Sequence, residues 1–182
     1  MDEIQRIRDE WLALRCQAGD AEACRELGST METPLVYFAT KLTGSHDVAK
    51  DVVQETWIKA ARTINALNRP GALRSWLYRM THGLAVDRVR REIARERAEE
   101  TAGGFAEESD DPRMSAEHAE AIHHALDQLP AAQREVLVLF FLEDFTVSEI
   151  GAVVGCSEGT VKSRLHYGKA ALRARLQTNP SL

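Results

Sequence analysis

Three groups of residues carry recognisable chemistry, and it is the chemistry of binding. Near the C-terminus, Glu158, Gly159, Thr160, Lys162, Ser163, Arg164, His166 and Tyr167 crowd cations, hydroxyls, an imidazole and a phenol into one short run. Such groups donate to and accept from nucleotide base edges and phosphates. Upstream, Arg74 to Arg91 holds five arginines (Arg74, Arg79, Arg88, Arg90, Arg91) against the single acid Asp87, with Tyr78 and His82 interleaved. Guanidinium groups hold phosphates and aromatic rings stack on unpaired bases. Third, Asp51, Gln54 and Glu55 stand at i, i+3 and i+4, which places them on one helix face, a polar and acidic surface suited to a basic helical partner. Signatures of covalent chemistry are missing: there is no Gly-rich phosphate loop, no H-E-x-x-H and no G-x-S-x-G. His118, His123 and His124 cluster without ligand spacing. Cys16, Cys24 and Cys156 are odd in number and widely spaced, which argues against a disulfide frame or zinc knuckle and for buried, inert thiols. No cofactor and no metal are expected.

The elements that must position these residues read as helices throughout, which makes the fold class all-α. Val53, Trp57, Ala60 and Ile64 recur on one apolar helix face, and Leu73, Trp76, Leu77, Met80 and Leu84 on another. By that pattern Trp76 and Leu77 belong to the core, whereas Tyr78 and His82 fall on the outer side. Asn68-Arg69-Pro70-Gly71 breaks the two helices apart. Thr101 to Ser115, with Gly103-Gly104, Asp110-Asp111-Pro112 and dense acid, cannot bury enough surface to offset the entropy of ordering. It reads as an acidic flexible linker between two small helical domains. The stretch Glu99–Glu120 carries −7 of a net −5, so the remainder sums to +2 and its basic stripes are masked in the average. Neither a secretory signal nor a membrane-spanning run is visible, and a cytoplasmic location is expected.

After the linker, Ala119, Ile122, Leu126 and Leu129 share a face, Pro130 suits a first helical turn, and Val136, Leu137, Leu139, Phe140 and Phe141 form a central apolar helix. Thr146-Val147-Ser148-Glu149 is a capping box, and the helix it opens turns Ile150, Val153 and Val154 inward. Gly155 suits the left-handed stop of that helix, and Ser157 caps a second one whose inward face is Val161, Leu165, Gly168, Leu172 and Leu176. Two helices joined by a short Gly-containing turn make a helix-turn-helix, whose second helix enters a major groove.

Gly159-Thr160-Val161-Lys162-Ser163-Arg164, with Leu129-Pro130, Arg134-Glu135-Val136 and Ser148-Glu149-Ile150, resembles the −35 reading domain of sigma-70 family proteins. It is also similar to the output domain of response regulators with a LuxR-type helix-turn-helix, and this half alone leaves the two undecided. Asp51-Val52-Val53-Gln54-Glu55-Thr56-Trp57 resembles the D-x-V-Q-E-x-F/W motif of sigma factors. Leu73 to Met80 is similar to their F-x-x-W-L-Y-R-I, Leu84 to Arg91 to their L-A-x-D-x-x-R-R, and Gln17-Ala18-Gly19-Asp20 with Ala23 to the Q-A-G-D-x-x-A that opens the same domain. The resemblance runs from about residue 11 to 176 with both halves in the family's order, and it identifies the chain as similar to the extracytoplasmic-function type of sigma factor.

That resemblance implies a region 2-like domain at 8–97, the linker at 98–116 and a region 4-like domain at 117–178. Asp51, Gln54 and Glu55 would bind core RNA polymerase. Arg74, Tyr78, Arg79, His82, Arg88, Arg90 and Arg91 would serve the promoter −10 element, with the loop Leu67–Ala72 receiving a flipped base. Glu158, Gly159, Thr160, Lys162, Ser163, Arg164, His166 and Tyr167 would serve the −35 element. The partners implied are core polymerase, promoter DNA and, where one exists, an anti-sigma factor; the chain itself is no enzyme and does not insert into membranes. Gly83 stands where Asn is usual, Tyr167-Gly168 where Arg-Ala is commoner, Cys24 where a large aromatic is usual, and Lys50 where an acid often precedes Asp51. The rival readings are an operator-binding regulator, which would need a receiver or ligand domain in the N-terminal half, and an enzyme.

Overall fold

The computed structural model of the protein describes residues 3–100 and 117–178, the side chains of 98–100, 117–120 and 178 excepted. The described residues are helical with no strand, and the chain divides into two compact units, Met1–Asp110 and Asp111–Leu182. Most of the predicted 98–116 linker lies outside the described residues.

The first unit contains α1 (Glu3–Gln17), α2 (Ala21–Thr43), α3 (His46–Thr63), two 3-10 turns (Ile64–Ala66 and Pro70–Ala72) and α4 (Leu73–Glu100). Local chemistry sets the junctions. At the end of α1 the chain passes through the left-handed region at Gly19, φ 82°, a conformation that costs a side-chain-bearing residue dearly. Asp20 then opens α2: its Oδ1 accepts from the N–H groups of Glu22 (2.9 Å) and Ala23 (3.1 Å), and Oδ2 accepts from Arg15 Nε (2.7 Å). The Ala23 N–H and then the Arg15 guanidinium hold the Asp20 carboxyl below the usual carboxylate range.

Leu27, Met31, Leu35 and Phe38 of α2, Ala49, Val52, Val53 and Ala60 of α3, and Leu73, Leu77, Tyr78 and Ala85 of α4 close the core, with Leu12 and Ala13 of α1. Fully burying each large side chain contributes about 1.5–3 kcal/mol. The buried stripe of α4 is Leu73, Leu77, Tyr78, Thr81 and Ala85, which is turned relative to the Leu73/Trp76/Leu77/Met80/Leu84 stripe predicted from apolar spacing. Trp76, Met80 and Leu84 are left half-buried at its flank. Small residues at 81 and 85 let α4 approach α3 closely, and the Thr81 hydroxyl meets that of Thr56 at 3.2 Å in the core. Tyr78 consequently faces inward, fully buried with its ring 5.2 Å from that of Phe38, which corrects its outward placement. In α3, Trp57 is likewise not core: its Nε1 donates to Glu32 Oε2 at 2.6 Å on an exposed edge.

The second unit contains α5 (Glu117–Asp127), α6 (Ala131–Phe141), α7 (Val147–Val154) and α8 (Glu158–Thr178). Pro130 sits immediately before α6, its carbonyl accepting from Gln133 (2.9 Å) and Arg134 (3.0 Å). Val136, Leu137, Val138 and Leu139 are buried, so α6 is central as predicted, yet Phe141 is exposed. Ile122 is also exposed, and Ala125 joins Leu126 and Leu129 on the buried face of α5. Phe145, 2% exposed, anchors the α6–α7 loop, in which Asp144 adopts φ 54°.

Asp9 of α1 is buried, with Gln5 Nε2 donating to Oδ1 at 2.7 Å and Oδ2 without a hydrogen-bond partner among the described residues. Burial raises its pKa above 3.8, outweighing the Gln5 hydrogen bond and the charges of Arg74 and Arg8. A carboxyl whose pKa rises on folding favours the folded state only where it is protonated, and that contribution is lost as pH rises through the folded value. Asp9→Asn is therefore expected to melt at a higher temperature than the parent at pH 7. The gap should close as pH falls below the ordinary Asp value of 3.8, measured by thermal unfolding across pH.

Candidate nucleic-acid and polymerase interfaces

The helix-turn-helix is built on two close approaches. The α7 capping box forms with Thr146 N–H donating to Glu149 Oε2 (2.8 Å) and Glu149 N–H donating to Thr146 Oγ1 (3.3 Å). Gly155, φ 70°, ends α7, and the Cys156 N–H reaches back to the Gly151 carbonyl at 3.1 Å. A Cβ on Gly151 would stand 2.8 Å from the Cys156 carbonyl oxygen, so the turn requires a residue without a side chain or a shift of backbone. Ser157 caps α8 through the Thr160 N–H (3.2 Å). Val161, Leu165 and Gly168 face inward, and Gly168 lets α8 close on α6, where a Cβ would meet Leu137 at 3.1 Å and Gln133 at 3.3 Å.

The opposite side of α8 presents Glu158, Gly159, Lys162, Ser163, His166 and Tyr167, all exposed. Lys162 Nζ lies 3.9 Å from Glu158 Oε2; with both side chains more than half exposed, that pair holds the Lys only weakly. The His166 and Tyr167 rings pack edge to face, 5.3 Å apart. Arg164 differs: its Nη1 donates to Glu135 Oε1 of α6 at 2.9 Å, and the carboxylate is nearly buried. It holds α8 on α6 and is set back from the outer face. The Thr160 side chain, though exposed, shares a 2.9 Å hydroxyl contact with Ser157.

In the first unit, Asp51, Gln54 and Glu55 are exposed on α3, opposite Val52 and Val53. Asp51 Oδ2 lies 4.0 Å from Arg88 Nη2, so this face and the basic side of α4 share an edge. Arg79, Arg88, Arg90 and Arg91 are exposed. Arg74 is half-buried beside Asp9, and His82 is half-buried with its ring 6.5 Å from Phe38. Both are set further into the unit than their predicted roles supposed. Among the cysteines, Cys16 is buried, and burial together with Cys24 pushes its thiol up to about 12; Cys24 is exposed, against the reading of all three as buried. Among the described residues no cluster of His, Cys, Asp and Glu could hold a metal ion, and no helix is long and apolar enough to cross a membrane.

Comparison with known proteins matches residues 30–95 to sigma-70 region 2 and residues 119–172 to sigma-70 region 4. The chain is 34% identical over 165 residues to ECF RNA polymerase sigma factor SigL of Mycobacterium tuberculosis, a match covering 88% of this chain and 92% of that one. It is 37% identical over 155 residues to ECF RNA polymerase sigma factor SigE of Mycolicibacterium smegmatis, covering 79% of this chain and 57% of that longer one. The chain belongs to the ECF RNA polymerase sigma factor family. Its fold is that of sigma factor RpoE of Bartonella quintana, solved in complex with the anti-sigma factor NepR (TM-score 0.70, 24% identity, covering 85% of this chain and 99% of that one).

As an ECF sigma factor the protein binds core RNA polymerase and directs promoter-specific transcription initiation. The operator-binding rival falls with the region 2 match, which occupies the half where a receiver or ligand domain would have to stand. Two features escaped sequence reasoning. Trp76, assigned to the core by its place in the apolar pattern, is the α4 aromatic with surface to offer; the signal was the small pair Thr81 and Ala85, which mark the packed face instead. The role of Gly151 showed no sequence signal, because it depends on a carbonyl beyond the end of its own helix.

All three tryptophans (Trp11, Trp57, Trp76) lie in the first unit, so their fluorescence reports that unit alone while circular dichroism reports both. Gly151→Val is expected to destabilise the second unit by about 1–3 kcal/mol through overpacking at the turn. The check is a dichroism transition that moves to lower temperature while the tryptophan transition stays in place.

Proposed function

We propose that the three exposed faces divide the work of this sigma factor. Asp51, Gln54 and Glu55 of α3 bind core polymerase. Arg79, Arg88, Arg90 and Arg91 hold the −10 region by its phosphates, with Trp76 and His82 at the flank as ring surfaces and the loop Leu67–Ala72 as the receiver of a flipped base. Glu158, Gly159, Lys162, Ser163, His166 and Tyr167 read the −35 element, while Thr160 and Arg164 shape and brace the reading helix. The observation that carries the proposal is the N-terminal half of α8, where these side chains are exposed directly opposite the buried seam of Val161, Leu165 and Gly168. A helix N-terminus favours phosphate, and a Lys can donate to guanine O6 or N7 in the major groove.

The chain performs no covalent chemistry in this reading, since polymerase supplies the active site. It works in the cytoplasm, where core polymerase and promoter DNA are. Control comes by occlusion, an anti-sigma factor covering the polymerase- or DNA-binding faces of the helical units. The support is the likeness in fold to a sigma factor solved with such a partner. Co-purification from the native host that recovers polymerase subunits alone, at rest and under stress, would count against occlusion.

Replacing Gln54 and Glu55 together with Ala is expected to weaken binding to core polymerase with helical content unchanged; gel filtration with core polymerase that finds full binding removes the role from this face. Lys162→Ala is expected to cost about 1–3 kcal/mol, with the loss concentrated at one position of a −35 variant library. A uniform loss across the library, with a shallower salt dependence, would instead place Lys162 on phosphate.

A further inference from the structure

Helix α1 precedes the residues matched to region 2, yet it packs against the loop between α3 and α4. Gln17, the last residue of α1, sends its side-chain Nε2 to the carbonyls of Ile64 and Leu67, each at 2.9 Å. A primary amide has two hydrogens on that nitrogen, so both are spent on the loop backbone. The Ile64 carbonyl also accepts the Leu67 N–H at 3.0 Å, which closes the first 3-10 turn, and Leu67 itself is buried. The far end of the loop is met by the same helix. A Cβ on Gly71 would come 3.7 Å from Glu10 Oε2, and Asp9, two turns before Gln17 on the same stripe, faces Arg74 at the start of α4. Between these two supports Asn65, Ala66, Asn68, Arg69 and Gly71 are exposed. The loop thus combines an anchored backbone with free side chains, the arrangement that a binding site for a single base needs.

We infer that Gln17 is a positioning residue for −10 discrimination: by holding the Ile64 and Leu67 carbonyls from the end of α1, it fixes the backbone of the loop Leu67–Ala72 against which a base is selected. The inference rests on the proposed reading of that loop as the receiver of a flipped base. Neither a Leu, which keeps the bulk, nor a Glu, which turns two acceptors on the carbonyls, can replace the paired donors.

The test uses the full chain, reconstituted with core polymerase, on promoters varied at each −10 and −35 position. Gln17→Leu and Gln17→Glu are compared with the loop variants Asn68→Ala and Arg69→Ala. The expected result is that Gln17→Leu lowers the ratio between best and worst base at one −10 position by about fivefold or more, at the position the loop variants also affect. Core affinity and the −35 ratios should stay as in the parent. Amide hydrogen exchange on the sigma factor alone should speed up by about tenfold or more at residues 64–72, with α3 and α4 unchanged. If the loop variants alter −10 discrimination and the Gln17 variants do not, the positioning role is overturned while the loop reading stands. If the loop variants themselves leave every −10 ratio unchanged, the loop reading fails and the inference with it. Equal losses in core binding, −35 reading and −10 reading would show that Gln17 serves general stability, which also overturns the inference. Should Gln17→Leu lose the tryptophan-reported fold, the same ratios are read from Gln17→Glu.

Discussion

The contact between the Thr56 and Thr81 hydroxyls, 3.2 Å apart in the core of the first unit, marks the constraint on which its whole surface depends. Each hydroxyl also bonds a carbonyl of its own helix, Val52 at 2.9 Å and Leu77 at 3.0 Å, so neither is left unsatisfied in a dry place. Two small polar residues at this crossing allow α3 and α4 a distance that larger ones would forbid. Once α4 is locked at Thr81, its rotation follows: Leu77, Tyr78 and Ala85 go inward, and Arg79, Arg88, Arg90 and Arg91 are left outside. The side of the unit proposed to meet nucleic acid is a by-product of how closely two helices can pack.

The second unit follows the same rule through glycine. Gly151 and Gly168 each stand where a side-chain carbon would press on a neighbour, one on the turn after α7 and one on α6. Together they set the angle and depth at which α8 sits, and the Arg164–Glu135 pair ties α8 to α6 from a second direction. Truncating Arg164 would leave the nearly buried Glu135 carboxylate without its compensating charge. The exposed face of α8 is what remains after these contacts are made.

Gln17-Ala18-Gly19-Asp20 shows how much a short motif can condense. Gly19 supplies the positive φ that stops α1, Asp20 caps α2 and holds Arg15, and Gln17 reaches across to the loop before α4. Two of these roles are local. The third spans 47 and 50 residues of sequence, which places it beyond any spacing argument.

Read by itself, the sequence determined the all-α class, the capping box at Thr146 and Glu149, the left-handed stop at Gly155, the Val161–Leu165–Gly168 seam and the family. These rest on local backbone chemistry, on periodicity within one helix and on motif spacing, all of which act over a few residues. The exposed Asp51, Gln54 and Glu55 were legible for the same reason, since i, i+3 and i+4 share a face wherever the helix lies. Only the tertiary structure decided which flank of α4 is buried, because Tyr78, Thr81 and Ala85 win that place by fitting a gap between α2 and α3, while Trp76 and Met80, more apolar, do not. It alone turned Arg164 toward Glu135 and gave Gln17 its two carbonyls. Packing depends on the volume and the partners available at a site, and those belong to other parts of the chain.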